Sequence, residues 1–133
     1  MIILLAKTLS YLSRRLNLGH GSTWPGHIAL SAKQNFISEI LEKNKHLKIV
    51  LIAGTNGKTT TSKLLRFILE KNGLKVFQNE SGANLLNGIA SSLIIHSDFK
   101  RNLNYDVAIF EVDENTLPLI IKYIEPDVLV LLN

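Results

Sequence analysis

Two closely spaced glycines followed by a lysine and a run of threonines form a residue set that can hold phosphate, and this chain carries one: Gly54-Thr55-Asn56-Gly57-Lys58-Thr59-Thr60. Glycine lets the backbone turn tightly enough for several N–H groups to converge on one anion, and a helix opening behind the turn adds the positive end of its dipole. The Lys58 ammonium can then reach the terminal phosphates of a nucleotide, and the Thr59 hydroxyl can ligate magnesium. All of Gly54 to Thr60 is therefore the predicted phosphate-binding loop. The commonest spelling of such a loop has a glycine where this chain has Ile52. The competing explanation is a plain strand-turn-helix junction that happens to hold Asn-Gly and a lysine.

Such a loop needs a strand to deliver it and a helix to receive it. Lys48 to Ala53 is a short continuous apolar run, the pattern of a strand buried on both faces of a parallel sheet. From Thr59 to Asn72, Leu64, Leu65, Ile68 and Leu69 fall on one helical face, and Asn72-Gly73 supplies a left-handed stop. A second strand is expected at Leu74 to Phe77. After it come a loop containing Ser81-Gly82-Ala83-Asn84 and a helix carrying Leu85, Leu86, Ile89, Ala90, Leu93 and Ile94. A polar loop from His96 to Asn104 leads to a third strand, Asp106 to Val112, with Glu111, Asp113 and Glu114 clustered at its carboxyl end. Ligands of open parallel sheets gather at that edge, so these carboxylates should arrive beside the phosphate loop. Asp113 and Glu114 also suit the cap and the positive end of the next helix. That helix starts at Thr116-Leu117-Pro118 with Ile120, Ile121 and Ile124 inward, and Val128 to Leu132 is a fourth strand.

Upstream, Ile2, Leu5, Leu9, Leu12 and Leu16 predict an amphipathic helix, Gly19 to Gly26 a loop, and residues 31–44 a second helix. In the latter Ser31 is placed to cap, and Phe36, Ile37, Ile40 and Leu41 turn inward. Strand and helix alternate with connections long enough for right-handed crossovers, which predicts an α/β fold, a three-layer parallel sheet of the phosphate-loop type. The expected division is 1–46, amino-terminal helices and Gly/Pro loop, and 47–133, the nucleotide-binding unit.

Composition narrows the function classes. With 133 residues and 46% hydrophobic content the chain can bury a core. No cysteine occurs, which removes disulfides and thiolate sites and suits a reducing cytoplasm. The net charge of +4 is carried before the loop, where residues 1–50 hold seven Lys/Arg against two Asp/Glu. That excess is read as a solvated helix face, and no aromatic–arginine interleaving supports nucleic acid. Met1 to Ala6 is too short an apolar run to span a bilayer, and its flanking charge is on the wrong side for a secretory signal. His20, His27 and His96 are read as loop or surface residues and Trp24 as packing.

The loop also resembles the shorter glycine-rich loop of the Mur ligase superfamily, ATP-dependent amide-forming enzymes. Further motifs are similar to one branch, the MurT-type subunits of lipid II isoglutaminyl synthase: Gly21 to Leu30 with its Thr23-Trp24-Pro25-Gly26, Ser81-Gly82-Ala83-Asn84-Leu85 with Gly88-Ile89-Ala90, Glu111-Val112-Asp113-Glu114, and Pro126-Asp127 leading to Asn133. The resemblance covers nearly the whole chain from about residue 12. It implies ATP and Mg2+ as cofactors and a substrate carboxylate activated by the γ-phosphoryl group. The carboxylate would be the D-glutamate of lipid II at the membrane surface, and the amine would be ammonia from a partner glutaminase. It implies that Lys58 neutralises the β- and γ-phosphates, that Thr59 and Glu111 hold the metal, and that Asn84 lies near the reacting groups. Lys58, Asn84 and Glu111 are thus the expected catalytic set. The expected location is cytoplasmic, with a peripheral position at the inner membrane face.

Since the chain stops just after its fourth strand, it reads as the front part of a longer protein, an incomplete Mur ligase central domain. Alone it is expected to be catalytically silent and marginally stable. Two alternatives stay open at this point: another Mur-type ligase such as a folylpolyglutamate synthase, and a nucleotide-binding module without turnover.

Overall fold

Side-chain alternation along the strands decides the layering. In a computed structural model, which describes residues 23–80 and 82–133 together with Thr8, strand β1 (Lys48–Ala53) sends Ile49, Leu51 and Ala53 into one core and Val50 and Ile52 into another. Strand β3 (Val107–Val112) divides in the same way, with Ala108, Phe110 and Val112 on the first side and Val107 and Ile109 on the second. Together with β2 (Val76–Gln78) and β4 (Val128–Leu131) they form one parallel sheet in the order β2-β3-β1-β4. The α/β three-layer parallel architecture read from the sequence is therefore present. The helix expected over residues 2–16, apart from Thr8, and the expected loop residue His20 lie outside the described residues.

Right-handed crossovers then assign the helices to faces. The connection from β1 passes β3 to reach β2, and its helix α3 (Lys58–Lys71) covers the Val50–Ile52 face through Leu65 and Leu69. The later connections run back the other way, so α4 (Leu86–His96) and the short α5 (Leu117–Ile120) pack on the opposite face. That face is also covered by α1 (Trp24–Ala32) and α2 (Phe36–Lys43), whose Ala29, Phe36, Ile37 and Ile40 join the same core as Leu51 and Phe110.

Several elements differ from expectation for local reasons. Helix begins inside the stretch expected as a loop, at Trp24, because Pro25 occupies the first turn, where its missing N–H is harmless. Gly26 is tolerated there because a Cβ at this position would lie 1.8 Å from the Asn87 carbonyl oxygen, so only glycine lets α1 sit this close to α4. Its N–H donates to Ser91 Oγ at 2.8 Å. The single helix expected over 31–44 is two, broken between Ala32 and Phe36, and Ser31 lies in the last turn of α1 instead of capping. Trp24, read as a packing residue, is 63% exposed. On α3 the inward face runs through Lys58, Ser62, Leu65 and Leu69, leaving Leu64 and Ile68 at 59% and 47% exposure where burial was expected. Ile121 likewise faces out, and only Ile120 and Ile124 are buried. Leu74, expected to open the second strand, precedes it and is exposed, while β4 is an edge strand with Val128, Leu129 and Leu131 exposed. His96 is not a surface residue: it is half-buried, with its ring stacked on Phe77 at 4.5 Å.

The turn into β4 is fastened to β1 by Asp127, which accepts from Lys48 Nζ and from the Ile49 N–H, both at 2.8 Å. The Lys48 bond, then the Ile49 amide, hold its carboxyl below the ordinary value of 3.8. A lowered carboxyl contributes stability above its unfolded value, and that contribution is lost as pH falls through the folded value. Asp127→Asn is therefore expected to lower the melting temperature modestly at neutral pH. The gap between variant and parent should close as the pH falls through the lowered folded-state value of this carboxyl. Melting curves at several pH values check this, and a gap that persists in acid would show that the carboxylate charge plays no part.

Candidate functional site

Gly54 and Gly57 give the loop its shape. Gly57 has φ +80 and starts α3, so the helix N-terminus opens directly on the turn. Gly54 has φ +153, and a Cβ there would meet the Leu132 carbonyl oxygen at 2.5 Å, so the residues after β4 press against the back of the loop. Asn56 N–H donates to Asn133 C=O at 3.3 Å and Leu132 N–H to Ala53 C=O at 2.8 Å, tying that segment to loop and strand.

Lys58 is 8% exposed, and its ammonium folds back over the loop. It donates to the Gly54 carbonyl and to the Thr55 carbonyl at 3.3 Å and stands 3.7 Å from Asp113 Oδ1. One turn into the site, Glu111 is 1% exposed and accepts from Thr59 Oγ1 and Ser62 Oγ, each at 2.6 Å. The parity of β3 explains this approach: Glu111 shares a face with Val107 and Ile109, the face that α3 covers. Glu114 accepts from Thr55 Oγ1 at 2.9 and 2.8 Å. The carboxyl ends of β1 and β3 therefore bring the glycine loop and the acidic cluster together, as their places on parallel strands require.

Asp113 and Glu114 turn toward the loop. The α5 N-cap is Thr116 without a side-chain cap, while Asp113 faces Lys58 and Glu114 holds Thr55, which replaces the helix-capping role considered for them. Asn84 lies beside the same strand end, its carbonyl accepting from Asp113 N–H at 3.2 Å. Its side-chain Oδ1 is buried with no hydrogen-bond partner among the described residues. Thr60 follows in the first turn of α3. His27 is exposed on α1, its ring against Asn87, away from this cluster.

Sequence reasoning missed two residues that touch this group. Ser62 lies three positions after Thr59, so both hydroxyls share one helical face, a spacing that could have been read once Glu111 was placed opposite. Asn79 is fully buried, and its side chain bonds the backbone of Glu111 and Ala83; nothing in its local sequence marks it.

The oxygen donors suit magnesium. Thr59 Oγ1 and Glu111 Oε2 lie together at the mouth of the loop, and among the described residues no three or more His, Cys, Asp or Glu side chains are grouped so as to hold a metal ion by themselves. A hard cation held by one carboxylate and one hydroxyl would complete its shell from phosphates and water, the usual arrangement for a nucleotide-bound magnesium. No helix among the described residues is long and apolar enough to cross a membrane.

The chain is similar to known proteins over most of its length. The Mur ligase middle domain family matches residues 52–133. Subunit MurT of lipid II isoglutaminyl synthase (glutamine-hydrolyzing) from Streptococcus pneumoniae is 38% identical over 116 residues, 87% of this chain and 25% of that protein. The same subunit from Staphylococcus aureus is 35% identical over 113 residues, 85% of this chain and 24% of its own length. The chain thus spans about a quarter of the length of these curated relatives. Among solved structures, MurF from Acinetobacter baumannii superposes with a TM-score of 0.62 at 24% identity, covering 74% of this chain and 21% of that one.

Proposed function

Given that this chain belongs to the Mur ligases, through their middle domain, we propose that it is the ATP-binding part of a ligase subunit that amidates the D-glutamate of lipid II in peptidoglycan synthesis. The observation that carries the reading is the meeting of Thr59 Oγ1 and Glu111 Oε2 at 2.6 Å in front of a glycine loop whose lysine is already buried within it. A pure phosphate binder needs the loop and the lysine, but phosphoryl transfer also needs a metal-facing carboxylate fixed beside the phosphates.

In this reading the loop N–H groups and Lys58 hold the β- and γ-phosphates of ATP. Thr59 and Glu111 hold magnesium, which supplies charge neutralisation on the phosphoryl oxygens. Asn84, whose Oδ1 has no hydrogen-bond partner among the described residues, orients a donor group at the reacting end. The substrate carboxylate attacks the γ-phosphorus, ADP leaves, and ammonia displaces phosphate from the acyl phosphate to form the amide. Residues 47–133 are the nucleotide-binding unit, and 1–46 precede it as an amino-terminal segment. The finer assignment is supported by the MurT relatives, whose name includes the words "glutamine-hydrolyzing" and "subunit". A glutaminase partner would supply the ammonia, and the work would take place in the cytoplasm at the inner membrane face.

The test is reconstitution of the full-length protein with its glutaminase partner, ATP, glutamine and lipid II. Amidated lipid II and ADP should form together and stop when magnesium is chelated. Magnesium-dependent nucleotide binding without amide product from lipid II, but with product from a folyl or UDP-linked substrate, would replace the lipid II assignment.

A further inference from the structure

Strand β2 stops pairing too early to support the carboxylate. Its ladder with β3 ends at Gln78 opposite Ile109, two residues short of Glu111. The N–H and C=O of Glu111 point to that same side, and the Asn79 side chain meets both. Asn79 Oδ1 accepts from Glu111 N–H at 2.8 Å, and Nδ2 donates to Glu111 C=O at 2.9 Å. The second Nδ2 proton goes to Ala83 C=O at 2.8 Å.

We propose that Asn79 is a positioning residue: its side-chain amide stands in for the missing strand residue and locks Glu111 and the loop that carries Asn84 into one unit. The proposal rests on the ligase reading above. One carboxamide offers one acceptor group and two N–H protons, and all are engaged here at 0% exposure. Ala83 directly precedes Asn84, whose carbonyl accepts from Asp113 N–H, so Asn79 and Asn84 fasten to Glu111 and to the residue just past the end of β3. The far side of the loop is closed by Gly88, where a Cβ would fall 2.1 Å from the Ala83 carbonyl oxygen. Thr59 and Ser62 set the direction of the Glu111 carboxylate, while Asn79 sets the position of its backbone.

Asn79→Asp keeps the shape and removes both N–H donors, setting an oxygen against two carbonyls; Asn79→Ala removes the amide without adding charge. Both are made in the full-length protein, and ADP affinity is measured with and without magnesium, alongside thermal melting. Metal-free ADP affinity is expected to stay within about threefold of the parent, because the loop and Lys58 are untouched. The magnesium needed for half-maximal tightening is expected to rise about tenfold. A melting temperature that falls while the magnesium dependence matches the parent would reduce Asn79 to a turn residue and overturn the proposal. A parent protein in which magnesium does not tighten ADP binding would instead overturn the ligase reading. Should neither variant fold, hydrogen exchange in the parent decides. The Glu111 amide should be protected like those in the middle of β3 and slow further with magnesium and nucleotide, whereas exchange at loop rates would overturn the proposal.

Discussion

Lys58→Ala is expected to weaken magnesium-nucleotide binding by about 100-fold or more in the full-length protein, since a charge-assisted hydrogen bond to phosphate is worth about 1.5–3 kcal/mol and the ammonium serves more than one oxygen. The fold should survive. The partners the ammonium leaves behind are two loop carbonyls and Asp113, whose side chain is more than half exposed to water. The aliphatic stem is lost from the margin of the core and not from its centre, so cooperative melting should persist with a small shift. Titration with a non-hydrolysable nucleotide checks the effect. Parent-like affinity in a folded variant would mean that the glycine loop is only a strand-helix junction.

Glu111→Gln separates holding the nucleotide from using it. Turnover of the reconstituted enzyme is expected to fall about 100-fold or more, because metal-assisted charge stabilisation supplies several kcal/mol at about 1.4 kcal/mol per tenfold. Nucleotide binding through the loop should change far less. The glutamine occupies the same volume, its remaining oxygen can accept from Thr59 or Ser62, and the hydroxyl left over can rotate to accept from the new NH2. The backbone bonds of residue 111 to Asn79 are unaffected, so the variant keeps its register on β3. Unchanged turnover would remove Glu111 from the metal site. Loss of nucleotide binding as large as that in Lys58→Ala would assign it to the phosphate cradle instead.

The sequence by itself determined the four strands, the helices that follow the first two of them, and the edge on which the strand ends meet. The unbroken apolar runs at Ile49–Ala53 and Val107–Phe110 have the pattern of strands covered on both faces, and a parallel sheet places their carboxyl ends together, so Lys58, Thr59 and Glu111 were legible as neighbours on one edge. Period-3.6 patterning located α3 and α4 but not which side of α3 turns inward. Leu64 and Ile68 have the hydrophobicity to be buried, yet the inward face of α3 instead carries Lys58, Ser62, Leu65 and Leu69, two of them residues of the site. The Trp24-Pro25-Gly26 stretch looked like a loop by composition. It is helix because Pro25 suits the first turn, and Gly26 is needed there because α4 approaches closely at Asn87 and Ser91 and gives its N–H a partner, a contact between residues more than sixty positions apart. The turn of Asp113 and Glu114 toward the loop depends in the same way on what faces them across the sheet edge. Asn79 shows the limit most plainly. A buried asparagine after a strand has no local signature, and its role comes from β2 ending before β3 does, which leaves two backbone groups of Glu111 that the Asn79 amide satisfies together.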